Sequence, residues 1–490
     1  MGCIMLKTTS PTYLPKEYNF SILEHLSVQV TIINNPYQVP MDALFSMAAR
    51  INKKRGFLFV SKVLGKHLPI QPGIGLLGGA ILAGQLLQDV YGIRQANLLD
   101  LLTGLQSPDS SRDVYVAFSQ ERFPLPEKVT FIGFAETATA LGHSMFAAFT
   151  DKASYIHTTR EQIQNLSPVL TFEEEHSHAT SHRFYTLDPA FLDHHQPIVL
   201  VDDEITTGKT ALNIIAELHQ AFPRKTYVVA SLLDWRSDAD EQRFAMVEQE
   251  LGITIKTISL LRGKLQFNNN ELVSENRDSQ PENKNERIIE DRQDCGPDTE
   301  LREVIVQTIY LDTEPWAVVE GISTNALLEQ NDTPYLAETG RFGLTSERNQ
   351  HINTIAQGAA TKLITYRIST GKPTLCLGTG EFMYLPMLIA SYMGENVLYH
   401  STTRSPIHPH VETGYGAQNK FVFANHEDPQ VTNYLYNIPF NTYQDVFLFI
   451  ERDVPMSRLQ PTVDALLQTG IEQLYLVVCS SKNGKQEERQ

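Results

Sequence analysis

Along the first half of this chain, short apolar runs alternate with longer segments in which apolar residues recur at helical spacing. Residues 56–61, 129–134, 153–157, 198–201 and 226–233 are too short for helices and rich in Val, Ile, Leu and Phe, so they predict buried strands. Residues 79–91, 138–148 and 210–220 read as helices between them. This alternation predicts an α/β fold with a doubly wound, mostly parallel sheet, whose ligands bind beyond the carboxyl ends of the strands. A second α/β series includes a strand and small-residue turn at 373–384 (PTLCLGTGEFMY), an apolar helix through Ser391, and a strand and polar turn at 397–407. Between the two series the pattern lapses. Residues 271–300 hold ten acidic and four basic side chains, with too little apolar surface to offset the entropy of ordering. The chain therefore divides into a domain at 15–265, an acidic polar linker or mobile insertion at 266–302, and a second domain at 303–482.

Composition narrows the setting. At 490 residues the chain exceeds one ordinary core, and a net charge of −17 argues against a general nucleic-acid or membrane-surface binder. Cys3, Cys295, Cys376 and Cys479 show no CxxC spacing, so neither a disulfide framework nor a zinc site is indicated, and a cytoplasmic setting is expected. No leader segment is expected. No apolar stretch reads as membrane-spanning; residues 73–90 come nearest but are interrupted by Gly and Gln.

The densest chemistry lies at residues 198–210, IVLVDDEITTGKT. A strand leads into the carboxylate pair Asp202 and Asp203, then into a hydroxyl-rich glycine turn at the amino end of a helix. Free backbone N–H groups and the helix dipole favour an anion there, with hydroxyl donors from Thr206, Thr207 and Thr210. Asp202 and Asp203 suit sugar hydroxyls or a divalent cation one sugar away, which together describes a ribose 5-phosphate site. A nucleotide P-loop at Gly208-Lys209-Thr210 fails, because that motif requires glycine where Asp203 stands.

Residues 129–142 (VTFIGFAETATALG) form a second strand–turn–helix unit whose small residues admit close backbone approach, and Thr137, Thr139 and the helix amino end suit another anion. Glu136 departs from a neutral cradle and is expected to act through Mg²⁺ or to face a ribose or substrate group. Lys62, Lys66 and Arg160 are candidate cations. The polar segment 171–183, with His176, His178 and His182, reads as a lid that excludes water. Trp235, closing the strand at 226–233, is a candidate for stacking on a planar base.

Residues 198–210 resemble the phosphoribosyl-pyrophosphate (PRPP) motif of type I phosphoribosyltransferases. The resemblance implies that Asp202 and Asp203 hold the ribose hydroxyls, and that Thr206, Thr207, Gly208, Lys209 and Thr210 bind the 5-phosphate. It also implies that Ala135, Glu136, Thr137, Ala138 and Thr139 bind pyrophosphate, with Lys62, Lys66 and Arg160 supplying charge. Several purine enzymes carry a third aspartate where Thr206 stands, so the chain is more similar to the orotate enzymes and has no evident base at that position.

Residues 403–406 (TRSP), with GTGEF at 378–382 and TNYLYN at 432–437, resemble the TRSP domain. That domain is found carboxyl-terminal to a phosphoribosyltransferase domain in proteins encoded near tellurite-resistance stress genes, a module thought to make a nucleoside-like metabolite. Gly378, Gly380, Glu381, Thr403, Arg404 and Ser405 are then a candidate second anion site, or a packing domain's dead one. Thr158-Thr159-Arg160 and Thr402-Thr403-Arg404 follow Phe131 and Leu375 at the same interval, so the second domain reads as a diverged duplicate of the first. The activity implied is Mg²⁺-dependent phosphoribosyl transfer from PRPP to an unidentified small nitrogenous acceptor by a homodimer. A catalytically inactive PRPP or nucleotide sensor is the alternative.

Overall fold

The computed structural model describes residues 14, 16–23, 26–51, 56–173, 181–269, 304–369 and 371–482. Most of the acidic segment, together with His176 and His178, lies outside the described residues. In chain order the first domain has β1 (Glu17–Ile22), β2 (Leu26–Asn34), and the hairpin β3 (Phe45–Ala49) and β4 (Phe57–Ser61). Helix α1 (Pro72–Tyr91), β5 (Val129–Gly133), α2 (Ala138–Ala147) and β6 (Ala153–His157) follow. Next come the hairpin β7 (Leu170–Glu173) and β8 (Ser181–Phe184), then β9 (Ile198–Val201) and α3 (Lys209–Ala221). The domain closes with β10 (Thr226–Asp234), α4 (Asp238–Leu251) and β11 (Thr254–Asn269).

Its sheet runs β1-β2-β11-β10-β9-β5-β6, with the strands from β11 to β6 parallel. The two faces of β9 separate two cores. Ile198 and Leu200 pack with Leu212, Ile214, Ile215 and Leu218 of α3, whereas Val199 and Val201 join the cluster that holds α1 and α2. Alternation along a strand, each side covered by helix, is what makes these strands apolar throughout.

Helix α1 begins at Pro72, not at 79, and corrects the expectation about membrane-spanning stretches: by length and composition its 20 residues could cross a bilayer. It is a core helix, buried without a break from Pro72 to Leu87. Its glycines are contact points rather than interruptions. A Cβ on Gly79 would stand 2.4 Å from Cβ of Ser144 in α2, and one on Gly75 would stand 2.4 Å from Sδ of Met387 in the second domain.

The second domain contains β12 (Ile305–Tyr310), a short edge strand β13 (Leu344–Thr345), α5 (Ser346–Ile364), β14 (Thr374–Gly378) and α6 (Tyr384–Tyr392). It continues through β15 (Val397–Ser401), the hairpin β16 (Lys420–Ala424) and β17 (Thr432–Tyr436), β18 (Asp445–Arg452), α7 (Met456–Leu467) and β19 (Gln473–Ser480). Its sheet is parallel throughout, in the order β12-β19-β18-β14-β15.

Read in chain order, β5, β6, β9 and β10 occupy the same places in their sheet as β14, β15, β18 and β19 do in theirs. The fifth place is filled by the last strand of one domain, β11, and by the first of the other, β12. Local bonding repeats as well. Thr158 N donates to Gly133 O at 3.0 Å and Thr402 N to Gly378 O at 3.1 Å. Ala135 N donates to Thr158 Oγ1 at 2.8 Å and Gly380 N to Thr402 Oγ1 at 3.0 Å. Thr159 bridges to Arg183 in the β7–β8 hairpin, as Thr403 bridges to Tyr434 in β16–β17. Shared strand order with shared cross-strand bonds is the arrangement a diverged duplication requires.

The domains interlock. β13 pairs with β6 and extends the first sheet, and Ser323–Thr324 pairs with Gln162–Ile163. The β3–β4 hairpin is bonded to the second domain through His408 N to Ala49 O at 2.9 Å and Gly416 N to Met47 O at 2.8 Å.

Candidate active site

A cleft of about 480 Å³ opens where the carboxyl ends of β5, β6 and β9 face the β3–β4 hairpin and the second domain. Strand β9 ends at Val201, so Asp202 and Asp203 emerge at its rim, half-buried, with Asp203 N donating to Asp202 Oδ1 at 2.9 Å. The chain then turns into α3. Gly208 has φ of +70°, and a Cβ there would lie 2.4 Å from the Phe244 ring, so the turn needs glycine on two counts. Thr206 and Thr210 line the cleft, while Thr207 Oγ1 accepts from Lys209 N at 3.4 Å within the turn. The amino end of a 13-residue helix thus sits beside two hydroxyls and near two carboxylates.

The turn after β5 forms the facing wall. Ala135, Glu136 and Thr137 line it; the Ala135–Glu136 peptide is cis. Thr158 holds this turn from beneath, its Oγ1 accepting from Ala135 N and lying 3.1 Å from Nδ1 of His182. His182 stacks on Phe172, and both rings line the cleft, so the stem of the segment read as a lid is a strand hairpin. Ala138 and Thr139 are buried in α2, where Thr139 Oγ1 donates to Glu136 O at 3.0 Å, and so support the turn without facing the cleft.

Three cations converge on this wall. Lys66, 5% exposed, donates to Thr137 Oγ1. Arg160 Nη1 and Arg404 Nε each stand 3.7 Å from the same oxygen, Glu136 Oε2. Burial lowers the Lys66 pKa; Glu136 and Asp203 oppose the shift, and Arg160 and Arg404 add to it, which places these four charges within reach of Lys66. Next to Lys66, His67 is neutral, its pKa driven well down by burial and then by the Lys66 charge.

Two expected site residues lie elsewhere. Lys62, one residue past β4, donates to Asp42 O at 2.8 Å and does not line this cleft. Trp235 is 5% exposed and packs in the core, stacked on Phe59 at 4.7 Å and edge-on to Phe45. The β3–β4 hairpin covers the ring.

The expected second anion site does not exist as one unit. Arg404 and Ser405 face the first-domain cleft, and Thr403 is buried, with Oγ1 3.5 Å from Nε2 of His67. Gly378 closes β14 against the Tyr399 hydroxyl, and Gly380 N is bound by Thr402. Glu381 accepts from Arg160 N at 2.9 Å and pairs with Arg341 at 3.2 Å. Arg341, 1% exposed, also meets Glu161 at 2.6 Å and Glu451 at 2.9 Å, while Arg452 lies 3.8 Å over the Tyr335 ring. Where the first domain gathers cations around a glutamate, the second fills the equivalent place with the Arg341 ion pairs.

Sequence reasoning missed Arg50, Phe59 and His67, which line the cleft from the β3–β4 side. Nothing in their local pattern distinguishes them. The Thr-Thr-Arg repeat marked Arg404 but gave no indication of which cleft it faces.

Residues 44–264 match the family model described as "Phosphoribosyl transferase", and residues 338–466 match the TRSP domain described as C-terminal to it. No curated protein matches the chain. Among solved structures, the chain is similar to an APRTase from Giardia lamblia complexed with 9-deazaadenine, at 15% identity over 33% of this chain and 84% of that one, with a TM-score of 0.20. It is similar also to an adenine phosphoribosyl transferase from Trypanosoma brucei in complex with AMP, pyrophosphate and ribose-5-phosphate, at 14% identity over 48% and 86% of the chains, with a TM-score of 0.26.

Proposed function

The chain belongs to the phosphoribosyltransferases, with a TRSP domain behind its transferase domain, and on that premise we propose that its cleft binds Mg²⁺-PRPP and transfers the phosphoribosyl group to nitrogen of a small acceptor. The observation that carries this reading is the pairing of two unlike subsites across one cleft: helix amino end and hydroxyls behind Asp202 and Asp203, and a cation-rich turn at 135–137 opposite them. PRPP has this distribution of groups, a monophosphate, a diol and a pyrophosphate in sequence.

In this reading Thr206, Thr210 and the N–H groups opening α3 hold the 5-phosphate, and the two aspartates accept from the ribose hydroxyls. Among the described residues no group of three His, Cys, Asp or Glu side chains could hold a metal. Paired carboxylates beside a polyanion cradle instead fit a hard cation that arrives chelated by the substrate. Such a cation would supply charge neutralisation at the pyrophosphate. The acceptor nitrogen forms the new bond to ribose C1, the bond from C1 to the pyrophosphate oxygen breaks, and the electron pair leaves with pyrophosphate. Lys66 and Arg160 stabilise that developing charge. Thr206 supplies no base, so the acceptor must bring a nitrogen whose lone pair is already available.

Calorimetric titration with PRPP and Mg²⁺ tests the reading, and the doubly substituted Asp202→Asn, Asp203→Asn protein should lose PRPP binding with its melting temperature retained. Failure of the wild-type protein to bind PRPP sinks the proposal. Binding without pyrophosphate release across a panel of bases and amines would identify a sensor instead of an enzyme.

A further inference from the structure

We infer that Arg404, from the second domain, is a pyrophosphate-binding residue of the first-domain cleft, so that one chain supplies both halves of a two-domain cradle. The inference rests on the PRPP reading above and adds to it a ligand contact from outside the transferase domain.

The positions of Arg160 and Arg404 correspond. Each follows a Thr-Thr pair just past corresponding strands, β6 and β15, and each pair is fixed in the same way, with Glu161 N bonded to Thr159 Oγ1 at 3.1 Å and Ser405 N to Thr403 Oγ1 at 3.2 Å. Their pairings are crossed. Arg404 does not pair with Glu381, the glutamate of its own domain; it reaches Glu136 of the first. Glu381 in turn accepts from the backbone N–H of Arg160 in the first domain. Glu381 is then held by Arg341, whose guanidinium also meets Glu161 and Glu451. The crossing therefore leaves the second-domain place closed by the Arg341 network and directs both arginines to the first.

Glu136 Oε2 is the point on which both guanidinium groups converge, and Lys66 is the third charge beside it. Three like charges gathered on one wall of the cleft repel at short range. A ligand with several negative charges relieves that repulsion, and guanidinium groups match its paired oxygens in a way an ammonium group does not. Arg404 is half-buried and lines the cleft together with Ser405. Glu136, an anomaly in an anion cradle, is accounted for as the group that orients two arginines before the ligand arrives.

The test is titration of the full-length protein with pyrophosphate, PRPP and ribose 5-phosphate, each with Mg²⁺. Arg404→Ala should weaken pyrophosphate and PRPP by roughly 10- to 100-fold, the loss of a charge-assisted contact, and change ribose 5-phosphate less than about twofold. Arg404→Lys should recover part of the loss for pyrophosphate. Unchanged pyrophosphate affinity in Arg404→Ala overturns the inference while leaving the PRPP reading standing. An equal loss for ribose 5-phosphate also overturns it, because that pattern marks a disturbed domain interface. A wild-type protein that binds neither PRPP nor pyrophosphate overturns both.

Discussion

At the scale of single residues, Lys66 couples binding to pH. Its ammonium group is buried, so the folded pKa lies below the ordinary 10.5. Between those two values the unfolded chain binds more protons than the folded one, and the ligand-free protein gains stability as pH rises through that window. A pyrophosphate placed against Lys66 restores the charged form. Affinity should therefore fall as pH rises through the depressed pKa. Lys66→Met should bind pyrophosphate at least about tenfold more weakly at pH 7, lose the alkaline fall, and melt no lower than wild type. Titrations from pH 7 to 10 check this; an alkaline fall that survives in the variant assigns the proton to another group.

At the scale of elements, the 5-phosphate turn depends on one backbone position, and a second glycine provides its control. Gly208 and Gly252 both have positive φ, but a Cβ at Gly252 meets nothing within 4 Å, whereas at Gly208 it meets the Phe244 ring at 2.4 Å. Gly252→Ala should cost only the left-handed backbone term of about 1–2 kcal/mol. Gly208→Ala should cost more in thermal melts and weaken ribose 5-phosphate as well; equal melts and unchanged binding for the pair contradict the packing argument. This turn was legible in the sequence because strand, carboxylates, hydroxyls and glycine are contiguous, and local periodicity reports such units directly. Helix α1 was legible only in part. Gly75 and Gly79 read as breakers, and their use became apparent only with Met387 and α2 packed against them. Trp235 misled for the same reason: its partners Phe45 and Phe59 come from a hairpin nearly two hundred residues away. The repeat of Thr-Thr-Arg predicted equivalent positions, but the crossed pairing of Arg404 with Glu136 is a property of how two domains dock, which no local pattern encodes.

At the scale of the whole molecule, Arg341 ties the domains into one unit. It joins Glu161 of the first domain to Glu381 and Glu451 of the second, with almost no solvent contact. A buried network of this kind adds little net stability when complete, yet removing one member leaves the remaining charges buried without a partner. Arg341→Met should therefore destabilise the protein by about 3–5 kcal/mol. The loss should depend on pH in a definite direction. Burial already raises the Glu451 pKa, and Arg341 opposes that rise. Without Arg341 the folded Glu451 carboxyl moves further above its unfolded value, so the deficit is small where it is protonated in both states and grows as pH rises past the unfolded pKa. Melting curves of wild type and variant compared at pH 5 and pH 8 should show the larger gap at pH 8. A gap independent of pH would mean that Arg341 contributes through packing, and would separate the closed second-domain place from the charge exchange that directs Arg404 to the first.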